Sequence, residues 1–204
     1  MQTGPTRSDD SPRDRDDVRS HVVENLRFIR ETMEAAGAFT AMSGWAQMVI
    51  GATAVGAAVV AASQPDRLRW LAVWLVEAVI AVAIAAVGIA TKARRRRLPL
   101  FSGVSRRFWP SFAAPLLVGS LLTAALVKRG QYDVLPGAWL LLFGAAVVCG
   151  GALSVPLVRA MGWSFFALGL VALFLPSAAD PLLAAGFGGL LALFGFAIAR
   201  RHGG

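Results

Sequence analysis

Glu77 is the one carboxylate inside the long apolar runs of this 204-residue sequence. A charged side chain at mid-bilayer costs at least ~2.5–3.5 kcal/mol on insertion scales, so a polar partner, a proton or a water-filled cavity has to compensate. Binding of a proton or small cation is the chemistry such a residue offers. A hydrogen-bonded Glu that joins two helices is the alternative, and the sequence leaves both open. Glu77 lies about two turns in from one end of its run, and Lys128 and Gln131 lie toward the same side. The three form the candidate polar site. Gln47, near the far end of the first apolar run, can bond across helices in the same way.

Other chemistries find little support. His21, His202, Cys149 and one buried acid do not make a metal cluster. Five aspartates between Asp9 and Asp17 alternate with Arg13 and Arg15, which reads as a solvated tail. No phosphate-binding loop, dinucleotide fingerprint or zinc-protease motif occurs, and no cofactor, catalytic residue or enzymatic role is expected. Gly186-Phe-Gly-Gly189 falls mid-run, where a phosphate would face hydrocarbon, so it reads as a packing surface. A lone cysteine excludes an intrachain disulfide, and Cys149, inside an apolar run, is expected as a small core residue. The net charge of +8 does not imply nucleic acid, because the cations sit beside apolar runs and no binding motif surrounds them.

The elements that would position Glu77 follow from composition. Hydrophobic residues make up 56% of the chain and charged residues 16%, against about 25% charged in soluble domains. The expected fold is an all-α, six-helix transmembrane bundle over 42–199, preceded by an amphipathic helix at 17–36. Residues 1–16 are expected to be a disordered tail and 200–204 a short cytoplasmic one. Spans are placed at 42–62, 69–90, 109–127, 135–154, 158–176 and 181–199, each near the ~20 residues that cross the hydrocarbon as a helix. In 17–36, Val18, Val22, Leu26, Ile29, Met33 and Ala36 share one helical face, opposite Glu24, Arg27, Arg30, Glu31 and Glu34. That helix is expected to lie on the membrane, pack on the protein's own cytoplasmic face or dock on a partner protein. No apolar run occurs near Met1, so no signal peptide is expected.

Charge asymmetry sets the orientation. With the N-terminus in the cytoplasm, sixteen of the twenty Lys and Arg fall inside and four outside. Lys92, Arg94, Arg95, Arg96, Arg97, Arg106 and Arg107, clustered between the second and third spans, are the strongest topogenic signal and would meet lipid headgroups. Arg159 is a further snorkelling cation. Trp45, Trp70, Trp109, Trp139 and Trp163 fall near span ends, as an interfacial belt should, with Trp74 a turn deeper. Both termini are then cytoplasmic, and the Arg-rich composition suggests a bacterial inner membrane.

Small residues recur every seven positions: Gly44, Gly51 and Ala58; Gly137, Gly144 and Gly151; Gly162 and Gly169; Gly188 and Gly195. Such stripes let helix backbones approach. Pro65, Pro136, Pro176 and Pro181 mark the outer turns of three hairpins. Ala167-Leu-Gly-Leu-Val-Ala-Leu-Phe-Leu-Pro176 through Ala199 resembles the two-helix unit of HdeD-like and SPW-repeat bacterial membrane proteins. His21-Val-Val-Glu-Asn-Leu-Arg-Phe-Ile-Arg-Glu-Thr-Met33, with Ala185-Gly-Phe-Gly-Gly-Leu190 and Ala199-Arg-Arg-His-Gly-Gly204, is similar to a group of uncharacterised bacterial six-span proteins. Those resemblances imply a membrane location and no activity. Gly162-Trp-Ser-Phe165 resembles the Gly-x-Ser of rhomboid proteases, but His202 lies in the tail and the histidine expected on the inner part of the last span is missing. The function expected is a non-enzymatic membrane protein acting through protein or lipid contacts, as a single chain or a homo-oligomer, with a small transporter or channel built on Glu77 as the alternative.

Overall fold

The computed structural model describes residues 21–30, 33, 44–96, 103–150 and 156–202, and all regular structure among them is helical. Helix α1 covers 21–30, and Met33 is helical too. The spans follow as α2 (Gly44–Ala62), α3 (Arg67–Arg96), α4 (Gly103–Lys128), α5 (Leu135–Gly150) and α6 (Pro156–Phe174). The sixth is one rod of α7 (Ala179–Leu183), a π-helical stretch (Ala184–Leu190) and α8 (Leu191–His202), led by a 3-10 turn at Pro176–Ala178. Six of these helices are long and apolar enough to cross a membrane. The tail at 1–16 lies outside the described residues, as do 17–20 and most of 31–43.

Several boundaries differ from those expected. The helix of α3 does not stop with its apolar stretch but continues through the basic run to Arg96. Lys and Arg are good helix formers, so leaving hydrocarbon does not end the helix. Lys92, Arg94, Arg95 and Arg96 therefore form its last turn, Arg106 and Arg107 belong to the start of α4, and Arg97 lies outside the described residues. The fifth span ends at Phe174 and the chain turns at Leu175, so Pro176 opens the sixth span rather than closing the fifth. Gly130 ends α4: its φ of +68° suits glycine, and the turn brings the Gln131 N–H 3.0 Å from the Leu126 carbonyl.

The glycine stripes form two antiparallel seams. Gly44 and Gly51 of α2 lie against Gly195 and Gly188 of the sixth span; Gly137 and Gly144 of α5 lie against Gly169 and Gly162 of α6. A Cβ on Gly44 would stand 2.5 Å from the Gly195 carbonyl oxygen, and one on Gly144 would stand 2.8 Å from that of Gly162. Only glycine allows backbones this close. The seam of α2 is with the last span, so the first hairpin closes onto the third. Gly151 lies outside the described residues.

Beyond the seams, α3 packs chiefly on α2 and α4 on α5 among the described residues. The core is aromatic at its centre. Phe143 of α5 meets Phe165 of α6 at 4.8 Å, Phe187 of the π-helical stretch at 5.2 Å and Phe112 of α4 at 6.4 Å. Trp74 of α3 reaches Phe187 at 6.5 Å. The wider π turn lets Gly186 face α5 and α6 while Gly188 faces α2, so Gly186, Phe187 and Gly188 pack as expected, whereas Gly189 is exposed and meets nothing. Cys149 departs from expectation: it is exposed, on a side of α5 away from the core. Because α5 is apolar on every side, its sequence carries no phase that would have shown this.

Candidate functional site

Glu77 lies on α3 ten residues from Arg67, about 15 Å along the helix at 1.5 Å per residue. Its buried face is set by Trp70, Trp74 and Glu77, spaced at four and three residues, which turns all three inward. Glu77 is 7% exposed. Its hydrogen-bond partner is Thr53 of α2, whose hydroxyl oxygen is 2.8 Å from Glu77 Oε1. The same hydroxyl is 2.9 Å from the Ile50 carbonyl oxygen, one turn back on its own helix. Glu77 thus joins two neighbouring helices, and Thr53 is the group that sequence reasoning missed. A threonine in a span bonding its own backbone is the default, so nothing in its spacing marked it.

Lys128 and Gln131 do not join this site. Both are exposed at the end of the bundle where Arg67 lies, roughly three turns from Glu77. No hydrogen bond or ion pair links either of them to Glu77 among the described residues. The separation arises because α3 begins at Arg67, which puts Glu77 nearly three turns from that end and close to mid-span.

That end of the bundle holds an arrangement the sequence only hinted at. Arg67 reaches two acids from the other hairpins: Nη2 is 3.0 Å from Asp133 Oδ1, and Nη1 is 3.3 Å from Asp180 Oδ2. One guanidinium therefore ties the turns of all three hairpins. The side chains are about half exposed, so each pair contributes only ~0.2–1 kcal/mol. Asp66 caps α3, accepting the Arg69 N–H at 2.8 Å. Asp66, Asp133 and Asp180 are the acids after residue 36 that lie outside the apolar runs, and all three fall at this end. That placement was readable, but charges in turns pass as solvated by default.

Beneath Arg67 lies Trp70, its ring centroid 5.8 Å from the guanidinium carbon. Trp70 stacks on Trp139 of α5 with centroids 5.8 Å apart and planes 7° from parallel. Trp139 Nε1 donates to Thr123 of α4 at 2.8 Å. The two tryptophans sit at the expected depth but face each other rather than lipid, whereas Trp45 and Trp163 are exposed as belt residues should be. A cavity of about 200 Å³ opens beside Arg67, lined among others by Gln64, Asp66, Trp70 and Asp180.

Among the described residues, two side chains bury polar atoms that have no partner. Trp74 Nε1 has no acceptor, and neither Gln47 Nε2 nor Gln47 Oε1 has a bond; Gln47 is 1% exposed. Gln47 packs against Gly195 in the first seam, so its expected cross-helix bond does not form. Leaving a buried group unsatisfied costs ~1–3 kcal/mol.

No protein-family model, curated protein or solved structure matches this chain. The site has to be read from its own geometry. Among the described residues no group of three metal-ligating side chains converges. Ser164 hydrogen-bonds the Ala160 carbonyl of its own helix at 2.9 Å. The arrangement offers one buried carboxylate, one hydroxyl, one unpartnered indole N–H and an ion-paired rim.

Proposed function

We propose that this chain is a non-catalytic, multi-pass membrane protein that works through contacts with another protein or with lipid. The observation that carries the reading is the uncovered apolar face of α1. Val22, Leu26, Ile29 and Met33 lie on one side, and each is half exposed or more, up to 71% for Met33. A helix with such a face is stable only when something covers it: the bilayer interface or a partner helix. The seams support the reading as well, because α2 and α5 meet their partners backbone to backbone and leave no room there for a conduit.

The proposed setting is a bacterial inner membrane with both termini in the cytoplasm. The distribution of Lys and Arg supports that orientation, which would place α1 and the basic ends of α3 and α4 together on the cytoplasmic surface. The test is labelling by a membrane-impermeant maleimide in a Cys149→Ser background. Leu26→Cys and Ile29→Cys should react at least ten-fold more slowly than Glu24→Cys. Equal rates on the two faces would show that nothing covers the apolar side and would end this reading.

A second reading, a small transporter or channel, is favoured by one observation. Glu77 has a single hydroxyl for company, and an unpartnered indole N–H lies one turn away on the same helix. If Glu77→Gln left every flux across proteoliposomes untouched, this reading would be abandoned.

A further inference from the structure

We propose that Glu77 is a proton-binding site, reached along one stripe of α3 from the Arg67 end and closed there by Arg67 and the Trp70–Trp139 stack. The proposal rests on the second of the two readings above and names its ligand and its entrance.

Four residues define the stripe. Arg67, Trp70, Trp74 and Glu77 are spaced at three, four and three residues, so they descend one face of α3 into the bundle. At the top, the cavity beside Arg67 opens to solvent and is lined by polar side chains and Trp70. The lining also includes Ala61, Ala62 and Pro65, and Trp70, the lining residue on the stripe below Arg67, is buried and stacked. Below it, Trp74 Nε1 is a buried donor with no acceptor among the described residues. Buried donors of this kind are met by water in proteins generally. Trp74 itself precedes Glu77 by three residues on the same face, on the side of the entrance.

The chemistry of Glu77 selects the ligand. One carboxylate and one hydroxyl supply too few oxygens for a dehydrated divalent cation, which takes about six or more. A proton needs a single oxygen. Thr53 is suited to both protonation states because its hydroxyl lies between Glu77 Oε1 and the Ile50 carbonyl. With Glu77 ionised, Thr53 donates to the carboxylate. With Glu77 protonated at Oε1, Glu77 donates to Thr53, and Thr53 turns its own proton to Ile50. The step is a proton moving from hydronium to Oε1, leaving water; no other bond changes.

No other ionisable group stands at this depth among the described residues. The α2 helix carries none. On α3 the nearest are Arg67 and Arg69 toward one end and Lys92 toward the other. The sixth span offers Asp180 at one end and Arg200 with Arg201 at the other, and the α5 side offers Tyr132 and Asp133 at the entrance and Cys149 toward the far end. Lys128 of α4 is at the entrance end. The entrance is weakly held, because both ion pairs of Arg67 are half exposed.

The test uses the full-length protein in sided vesicles, with a water-soluble carbodiimide and an amine added to one side at a time. Modification of Glu77 is followed by peptide mass spectrometry. Removing the clip with Asp133→Asn together with Asp180→Asn, or with Arg67→Gln, and breaking the stack with Trp139→Ala in the same protein, should speed modification at least ten-fold from the Arg67 side and leave the rate from the other side unchanged. Unchanged rates from the Arg67 side would overturn the proposal. Equal acceleration from both sides would overturn it too, because that is the mark of a loosened fold and not of an opened entrance. Proton flux measured with an internal pH dye separates the broader reading. Accelerated modification without flux keeps the site and its entrance and removes transport.

Discussion

Placing a single methyl group in the first seam tests the packing argument directly. In Gly51→Ala the new Cβ would stand 2.7 Å from the Gly188 carbonyl oxygen, 2.8 Å from the Ala192 nitrogen and 2.9 Å from the Ala192 Cβ. Two of those atoms are backbone, so no rotamer change relieves them. Ordinary contact begins at 3.4 Å, so α2 and the sixth span must part locally by about 0.7 Å. A gap of that size forfeits roughly a quarter to a half of the dispersion well for each atom pair left behind. Overpacking of this kind costs ~1–3 kcal/mol, while Ala in place of Gly returns ~0.5–1 kcal/mol of helix preference. The net expectation is a loss of up to about 2.5 kcal/mol. Gly56→Ala, on the same helix, is the control: its Cβ would meet nothing within 4 Å, so only the helix preference acts and stability should hold or rise. Unfolding measured by steric trapping in bicelles reads both variants against the wild type. If the two alanines proved indistinguishable, the seam would not be in contact and the helix arrangement drawn from it would fall.

Three further outcomes follow from the polar groups. Gln47→Leu removes an amide with neither atom bonded and should stabilise the protein by ~1–3 kcal/mol in the same assay; a loss of stability would show that the amide has a partner. Thr53→Val keeps the shape but withdraws the hydroxyl from Glu77, which should cost ~1–3 kcal/mol, with Thr53→Ser recovering most of it; an unaffected Thr53→Val protein would mean that Glu77 does not depend on α2. Arg67→Gln should cost no more than ~1 kcal/mol, because its ion pairs are half exposed; a loss several times larger would mark the clip as structural and not a weak closure.

Much of this architecture could be read before any coordinates. Six apolar runs of membrane-spanning length specify six helices, and the seven-residue glycine spacing marks the faces along which they meet. The same spacing does not say which helix faces which. A stripe on α2 fits α3, its neighbour in sequence, as well as it fits the sixth span, and only the antiparallel match of Gly44 with Gly195 and Gly51 with Gly188 decides the pairing. Glu77 stood out because a carboxylate in hydrocarbon is costly. Its partner did not, because a lone threonine in an apolar helix satisfies itself on its own backbone. The contacts at the Arg67 end were hidden for a related reason. Three aspartates in three turns look solvated one at a time and become a cluster only when the hairpins are brought side by side. Trp70 and Trp139 show the complementary limit: depth along a span can be read from position, but the direction a ring faces depends on neighbours from other parts of the chain.

The two glycine seams differ in how far apart their halves are made. The α5 and α6 halves emerge within a few tens of residues of each other, so that pair can close while the ribosome is still at work. The groove of α2 has to wait for Gly188 and Gly195, which follow Gly51 and Gly44 by 137 and 151 residues. The α2 side of that seam therefore gains its partner only once the sixth span has been made, so the contact that joins the first hairpin to the third forms late.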